Sequence, residues 1–308
     1  MRLLFCGDPL HPRRADESYA PEAAAAERLG IPWSPINVEA LVHEDDAPQA
    51  VRRVPPAVGP GGEWAVYRGW MLTPGQYGAL YGALAARGVR LVKTPAEYEF
   101  CHYGPRWHGA LAGDTPRTVW TEAGEDVSLP RLMDLLRPFG DGPVIVKDWV
   151  KSRKHEWHDA CFIPSAADAG AVGRVTGRFL ERQGGDLNVG LVFREFVPLE
   201  PLAAHPRSGM PLGREFRLFF GDGEILLATR YWGGGEYPEG EEPPLDRFRE
   251  LARRVRSRFF TMDVAKAAAG GWLVVELGDG GVAELPAHAD AQSFYAALRD
   301  RLAAENAR

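Results

Sequence analysis

Short apolar runs broken by glycine and proline set the pattern of this chain. The first covers residues 3–5. An alanine-rich stretch over 22–29 follows, with Pro21 near its first turn and Gly30 just past its end, the usual punctuation of a helix. A strand is predicted over 64–67, then a helix opened by Thr73-Pro74 and closed by Gly88, then a strand over 89–92. This alternation predicts a small, partly parallel sheet with helices on its faces. Thr94-Pro-Ala-Glu97 has the spacing of a capping box and starts another helix.

From about residue 95 the pattern changes to strands separated by longer, glycine-rich connections. Strands are predicted over 144–147, 191–197, 215–220, 224–231, 259–265 and 272–277, and helices over 128–137, 165–182, 244–257 and 290–304, with Ser165 and Asp290 as N-caps. Residues 233–244 lack apolar periodicity and read as a mobile acidic loop. The expectation is an α+β protein with a small α/β domain over 1–94 and a larger α+β domain over 95–308.

Composition narrows the class. At 308 residues the length allows about two domains. With 45% hydrophobic and 25% charged residues, disorder as the main state is excluded. No apolar run approaches the ~20 residues of a membrane helix, and the basic residues near the start follow a very short apolar stretch, the reverse of a secretory signal. The chain is therefore expected to be cytoplasmic, with no membrane partner. Cys6, Cys101 and Cys161 are odd in number and widely spaced, which predicts reduced structural thiols. A net charge of -6 argues against a nucleic-acid footprint.

Three stretches could carry chemistry. In residues 213–232, Asp222-Gly223 signals a two-residue hairpin turn. Counting outward from it pairs Arg217 with Ala228 and Glu215 with Arg230, so that Glu215, Arg217 and Arg230 project from one face. Two guanidiniums on a rigid strand pair suit a phosphate or carboxylate; a solvated Glu–Arg cross-strand pair is the plainer alternative. Second, Lys147 ends an apolar strand and can hold its ammonium at the sheet end, followed by Lys151, Ser152, Arg153 and Lys154, either a basic loop over polyphosphate or a solvated turn. Third, Asp263 and Glu276 lie on neighbouring apolar strands, placed to hold Mg²⁺ between protein and phosphate oxygens, with Asp279 either a third ligand or simply a turn residue. His155-Glu156-Trp157-His158 misses the zincin spacing, and Cys101-His102 has no third catalytic partner. Arg68, beside Gly69, is a weak candidate for meeting a substrate carboxylate.

In this order the motifs resemble the ATP-grasp superfamily over about residues 118–286, closest to the clade named for two arginines and one lysine, here Arg217, Arg230 and Lys147. The resemblance implies two α+β subdomains gripping ATP, a lysine-bearing one over 95–190 and another over 191–308, preceded by the small α/β domain. It implies ATP and Mg²⁺ as cofactors. Lys147 would contact the α- and β-phosphates, with Lys151 and Ser152 in the covering loop. The hinge Glu195, Phe196 and Val197 would meet the adenine, and Glu215-Phe-Arg217 would match the D-x-R motif. Arg217 and Arg230 would serve the transferred phosphate, and Asp263, Glu276 and Asp279 the metal. The family often reads Glu-x-Asn where this chain has Glu276-Leu-Gly278. The implied activity is ligation of a carboxylate to an amine through an acyl phosphate. Amino acids, peptides or other small molecules would be the substrates, and a protein a further candidate. A small-molecule phosphotransferase and a catalytically idle nucleotide-binding module are the alternatives.

Overall fold

A computed structural model describes residues 1–205, 208–235, 237, 240 and 242–303. The first sheet is wholly parallel, in the order β2-β1-β3-β4, from β1 (Arg2–Cys6), β2 (Trp33–Ile36), β3 (Glu63–Arg68) and β4 (Val89–Leu91). Helices Ala20–Arg28 and Pro74–Ala85 connect along it, and the latter starts at a capping box between Thr73 and Gln76. The Thr94–Glu97 capping box opens the helix Pro95–His102. Strand β2 was not anticipated, because a four-residue run containing Pro35 carries little periodic signal.

Two antiparallel sheets follow. One runs β5-β8-β6-β7, from β5 (Thr118–Trp120), β6 (Val144–Asp148), β7 (Phe162–Ile163) and β8 (Leu191–Glu195). The helices Leu129–Leu136 and Ala169–Gln183 pack on it around Val144, Val146, Phe179 and Phe193. The second helix begins at Asp168, whose side chain accepts from Ala171 N, and not at Ser165. After a short hairpin of β9 (Pro201–Ala204) and β10 (Pro211–Gly213), the other sheet runs β12-β11-β13-β14, from β11 (Glu215–Gly221), β12 (Glu224–Arg230), β13 (Phe259–Lys266) and β14 (Trp272–Asp279). Its apolar face, with Leu218, Phe220, Phe260 and Met262, is covered by the helix Leu245–Ala252. The acidic loop expected over 233–244 lies partly outside the described residues.

The turn between β11 and β12 forms at Asp222-Gly223, both at positive φ (46° and 79°). The register beyond it differs from the simple count. A bulge at Leu226 shifts the pairing by one, so that Arg217 faces Thr229 and Arg230 faces Phe216. Directly paired residues share a face, and the bulge therefore moves Arg230 to the side away from Glu215 and Arg217.

Buried ion pairs fasten the first sheet to the end of β14. Arg68, at the end of β3 and fully buried, donates Nε and Nη2 to the Glu22 carboxylate at 2.7–3.0 Å, and Nη1 to the carbonyls of Gly280 and Ala283, both at 2.7 Å. Arg68 is thus a structural cation with its donors occupied, and the weak expectation that it meets substrate is corrected. Lys93, following β4, donates to both oxygens of Asp279, and both residues are buried. Removing one partner of such a pair leaves the other charge buried and uncompensated. Arg68→Leu is therefore expected to lower the unfolding free energy by about 3–5 kcal/mol, measured by urea denaturation.

Candidate active site

The polar face of the β12-β11-β13-β14 sheet collects charge because its strands stand in register. Arg217 pairs with Asp263 across β11 and β13, and Asp263 pairs with Glu276 across β13 and β14. Glu215, two residues before Arg217, shares that face. Arg217 donates Nε and Nη2 to the two oxygens of Asp263, each at 2.8 Å, in a fork geometry, and its Nη1 to the Glu284 carbonyl at 2.9 Å. Its guanidinium also lies 4.6 Å from the Tyr231 ring centre. Lys147, from β6 in the other sheet, reaches across the cleft and donates to Glu276 Oε1 at 2.8 Å.

Burial and neighbours divide the three acids. Burial, reinforced by the charge of Asp263, pushes Glu215 from 4.5 up to about 7. Burial also raises Asp263, against the opposing pull of Arg217. For Glu276, burial works toward a higher value, but the Lys147 ammonium and its hydrogen bond outweigh it and hold the carboxyl below its ordinary range.

Next to this cluster is a cavity of about 440 Å³ between the sheets, with Glu195, Phe196 and Val197 along one side and Ile145, Trp157 and Leu273 among its apolar walls. Among the described residues, the N–H and carbonyl of Val197 have no hydrogen-bond partner, whereas the N–H groups of Glu195 and Phe196 donate to Arg117 and Pro143. Glu215 also lines this cavity. A second cavity of about 450 Å³ contains Arg217, Lys154, Tyr231, Trp232 and His288, and Met210 borders both.

The basic run after Lys147 is folded tightly at its start. Asp148, fully buried, accepts from the N–H groups of Val150 and Lys151, and Ser152 bridges back to Lys147. Lys151 is exposed. Arg153 pairs with Glu156, while Lys154 crosses to the opposite sheet, its ammonium 5.8 and 5.5 Å from the ring centres of Tyr231 and Trp232. Lys154 was expected only as part of a loop; its aromatic partners come from beyond β12, and local sequence gave no sign of them.

Lys147, Glu215, Arg217, Asp263 and Glu276 therefore meet at one cleft, and Glu195, Phe196 and Val197 line its neighbouring cavity. Arg230 and Asp279 do not join them. Arg230 stacks on Tyr237, with its guanidinium 4.9 Å from the ring centre, on the other face of the sheet. Asp279 pairs with Phe260, not with a residue of the Asp263 face, and is neutralised by Lys93, so it is a fastener and not a metal ligand. Gly278 stands opposite Thr261, and a Cβ built there would lie 2.7 Å from the Thr261 hydroxyl oxygen. An asparagine in this position would require the Thr261 side chain to move. Among the described residues no three His, Cys, Asp or Glu side chains group as a metal cage. Asp263 and Glu276 instead suit Mg²⁺ that takes one or two carboxylates and completes its shell with phosphate and water.

The family model for the ATP-grasp domain of R2K clade family 3 matches residues 138–298, more than half of the chain. The chain belongs to this ATP-grasp family. Solved ATP-grasp structures share the fold at low identity. D-cycloserine synthetase DcsG is 17% identical at a TM-score of 0.62, covering 98% of this chain and 100% of that one. A RimK domain ATP-grasp protein from Sphaerobacter thermophilus is 14% identical at 0.59, with the same coverage of 98% and 100%. The ATP-grasp ligase PsnB, solved with a precursor variant, Mg and ADP, is 13% identical at 0.55, covering 99% of this chain and 98% of that one. A sequence search of curated proteins finds no match. Among the described residues of this ATP-grasp protein, no helix is long and apolar enough to cross a membrane.

The raised Glu215 gives a test independent of substrate. Folded Glu215 keeps its proton up to about pH 7 while the unfolded chain releases it near 4.5, so between these values the unfolded state binds fewer protons and stability falls as pH rises. Glu215→Gln should flatten that fall, and its stability relative to wild type should grow across the interval, as read by urea denaturation at several pH values.

Proposed function

We propose that this protein is an ATP-dependent carboxylate–amine ligase that activates its acid as an acyl phosphate. The observation carrying this reading is the meeting of Lys147 and Arg217, from opposite sheets, on the carboxylates of Glu276 and Asp263, beside an apolar cavity edged by the 195–197 hinge. In-line phosphoryl transfer needs alignment and charge neutralisation more than a protein nucleophile. The groups assembled here supply both.

The adenine would lie in the apolar cavity, with Val197 offering an unused N–H and carbonyl and Glu215 nearer the ribose and phosphates. Lys147 and Arg217 neutralise the acids before nucleotide arrives; with MgATP bound, the cations would turn to phosphate oxygens and the freed carboxylates would take the metal. Mg²⁺ supplies charge stabilisation for the transferring phosphoryl group. Lys154, held over Tyr231 and Trp232, closes the cleft from the Lys147 side, and Lys151 and Ser152 belong to the same covering turn. Excluding water there protects an acyl phosphate from hydrolysis. Ligase names among the solved neighbours, including a D-alanyl-alanine synthetase from Vibrio cholerae, support amino-acid or peptide substrates. The chain is read as working in the cytoplasm.

The reading is tested by ADP release with pooled amino acids and peptides, followed by mass spectrometry of any amide. Arg217→Ala should lower turnover by about 10²–10³, whereas Arg230→Ala, on the opposite sheet face, should retain most of it. Equal losses in both would reject the assignment of Arg217 alone. Asp263→Asn should raise the Mg²⁺ concentration needed for half-maximal turnover; an unchanged titration would remove Asp263 from the metal site.

A further inference from the structure

Amide formation leaves a chemical demand that the groups so far described do not meet. An amine arrives largely as ammonium, and two protons must leave its nitrogen before the product is neutral. Lys147, Lys154 and Arg217 are donors only; Asp263 and Glu276 are held by Arg217 and Lys147 and would hold the metal once nucleotide is bound, and Glu215 lines the neighbouring apolar cavity assigned to the adenine.

His288, an exposed residue at the β12 edge of this sheet, lines the cavity that Arg217 and Lys154 also line. Its Nε2 is 3.0 Å from the Arg230 carbonyl oxygen and 3.3 Å from the Thr229 hydroxyl. A carbonyl oxygen only accepts, so Nε2 carries the proton and Nδ1 of the neutral ring holds the lone pair. Thr229 is the cross-strand partner of Arg217, so His288 meets the same sheet face from which Arg217 projects. Both residues line the same cavity. Gly233 borders Nδ1, and a Cβ built there would lie 3.7 Å from it, an ordinary contact distance.

From this geometry we propose that His288 Nδ1 is the proton acceptor for the attacking amine, an inference that rests on the acyl-phosphate reading above. Nδ1 takes one proton from the ammonium and frees its lone pair. The nitrogen attacks the acyl carbon and the C–N bond forms. The C–O bond to phosphorus breaks with its electron pair passing to phosphate, which leaves with the second proton, and the imidazolium then returns its proton to solvent.

Other groups in the surroundings serve less well. His205 Nδ1 already meets the N–H and hydroxyl of Ser208, and His155 packs against the His205 ring with 5.8 Å between centres. Tyr231 is pushed up by burial and lies under Arg217. Glu284 meets Arg217 through its backbone carbonyl and not its carboxylate. On the far side of the ring, Arg230 and Glu242 line a separate cavity that His288 also borders.

Hydroxylamine separates the two halves of the reaction, because it is unprotonated at neutral pH and attacks acyl phosphates without a base. With pooled amino acids supplying acid and amine, His288→Gln should lower the ratio of amide to hydroxamate by about 10² or more, the usual contribution of a general base. His155→Gln, in the same cavity, should keep the wild-type ratio. An unchanged ratio in His288→Gln, or an equal drop in both variants, overturns the proposal. Hydroxamate without any amide from the wild-type protein also overturns it and leaves the acyl-phosphate reading standing, whereas absence of both products removes that reading and the proposal together.

Discussion

Three carboxylates on one sheet face cannot remain charged and dry without cations beside them, and much of this cleft follows from that electrostatic constraint. Glu215, Asp263 and Glu276 come together because β11, β13 and β14 pair in a register that aligns them. Arg217 answers Asp263 from within the sheet, while Lys147 answers Glu276 from the sheet opposite. Glu215 has neither partner and responds by holding its proton more tightly. The same imbalance makes the face receptive to a ligand that brings both a metal and phosphate, since such a ligand can satisfy the acids and the cations at once.

This pairing also relates the two halves of the cleft. Lys147 to Glu276 and Lys154 to the Tyr231–Trp232 pair are both contacts between the β6 segment and the opposite sheet. One is a hydrogen-bonded ion pair and the other a cation lying over two aromatic rings.

Much of the architecture was legible in the chain. The helix start at Thr73-Pro74, the capping box at Thr94 and the Asp222-Gly223 turn depend on neighbouring residues only, and local chemistry identifies them. Lys147, Arg217, Asp263 and Glu276 could be gathered because each sits on a strand whose apolar run is long enough to recognise. Arg230 was misplaced for a specific reason: side chains alternate along a strand, so one bulged residue at Leu226 reverses the face of everything after it, and nothing in Ile-Leu-Leu-Ala announces that bulge. Arg68 and Asp279 failed differently. Their partners, Glu22 and Lys93, lie 46 and 186 positions away, and a buried charge reads in sequence like a functional one until its counter-ion is found. His288 escaped notice because a single histidine in a loop carries no pattern.

The fastening of β14 to the first sheet reaches beyond local stability. Residues 138–298 match the family model, yet the peptide that follows Glu276 is gripped by Lys93 and by Arg68, itself paired with Glu22, all three outside that region. An excised gene fragment covering the matched region alone would carry Asp279 without its ammonium and the 280–283 backbone without its guanidinium. In this chain the matched region shares its buried polar groups with the first ninety-odd residues, so a charge change in one part is felt in the other.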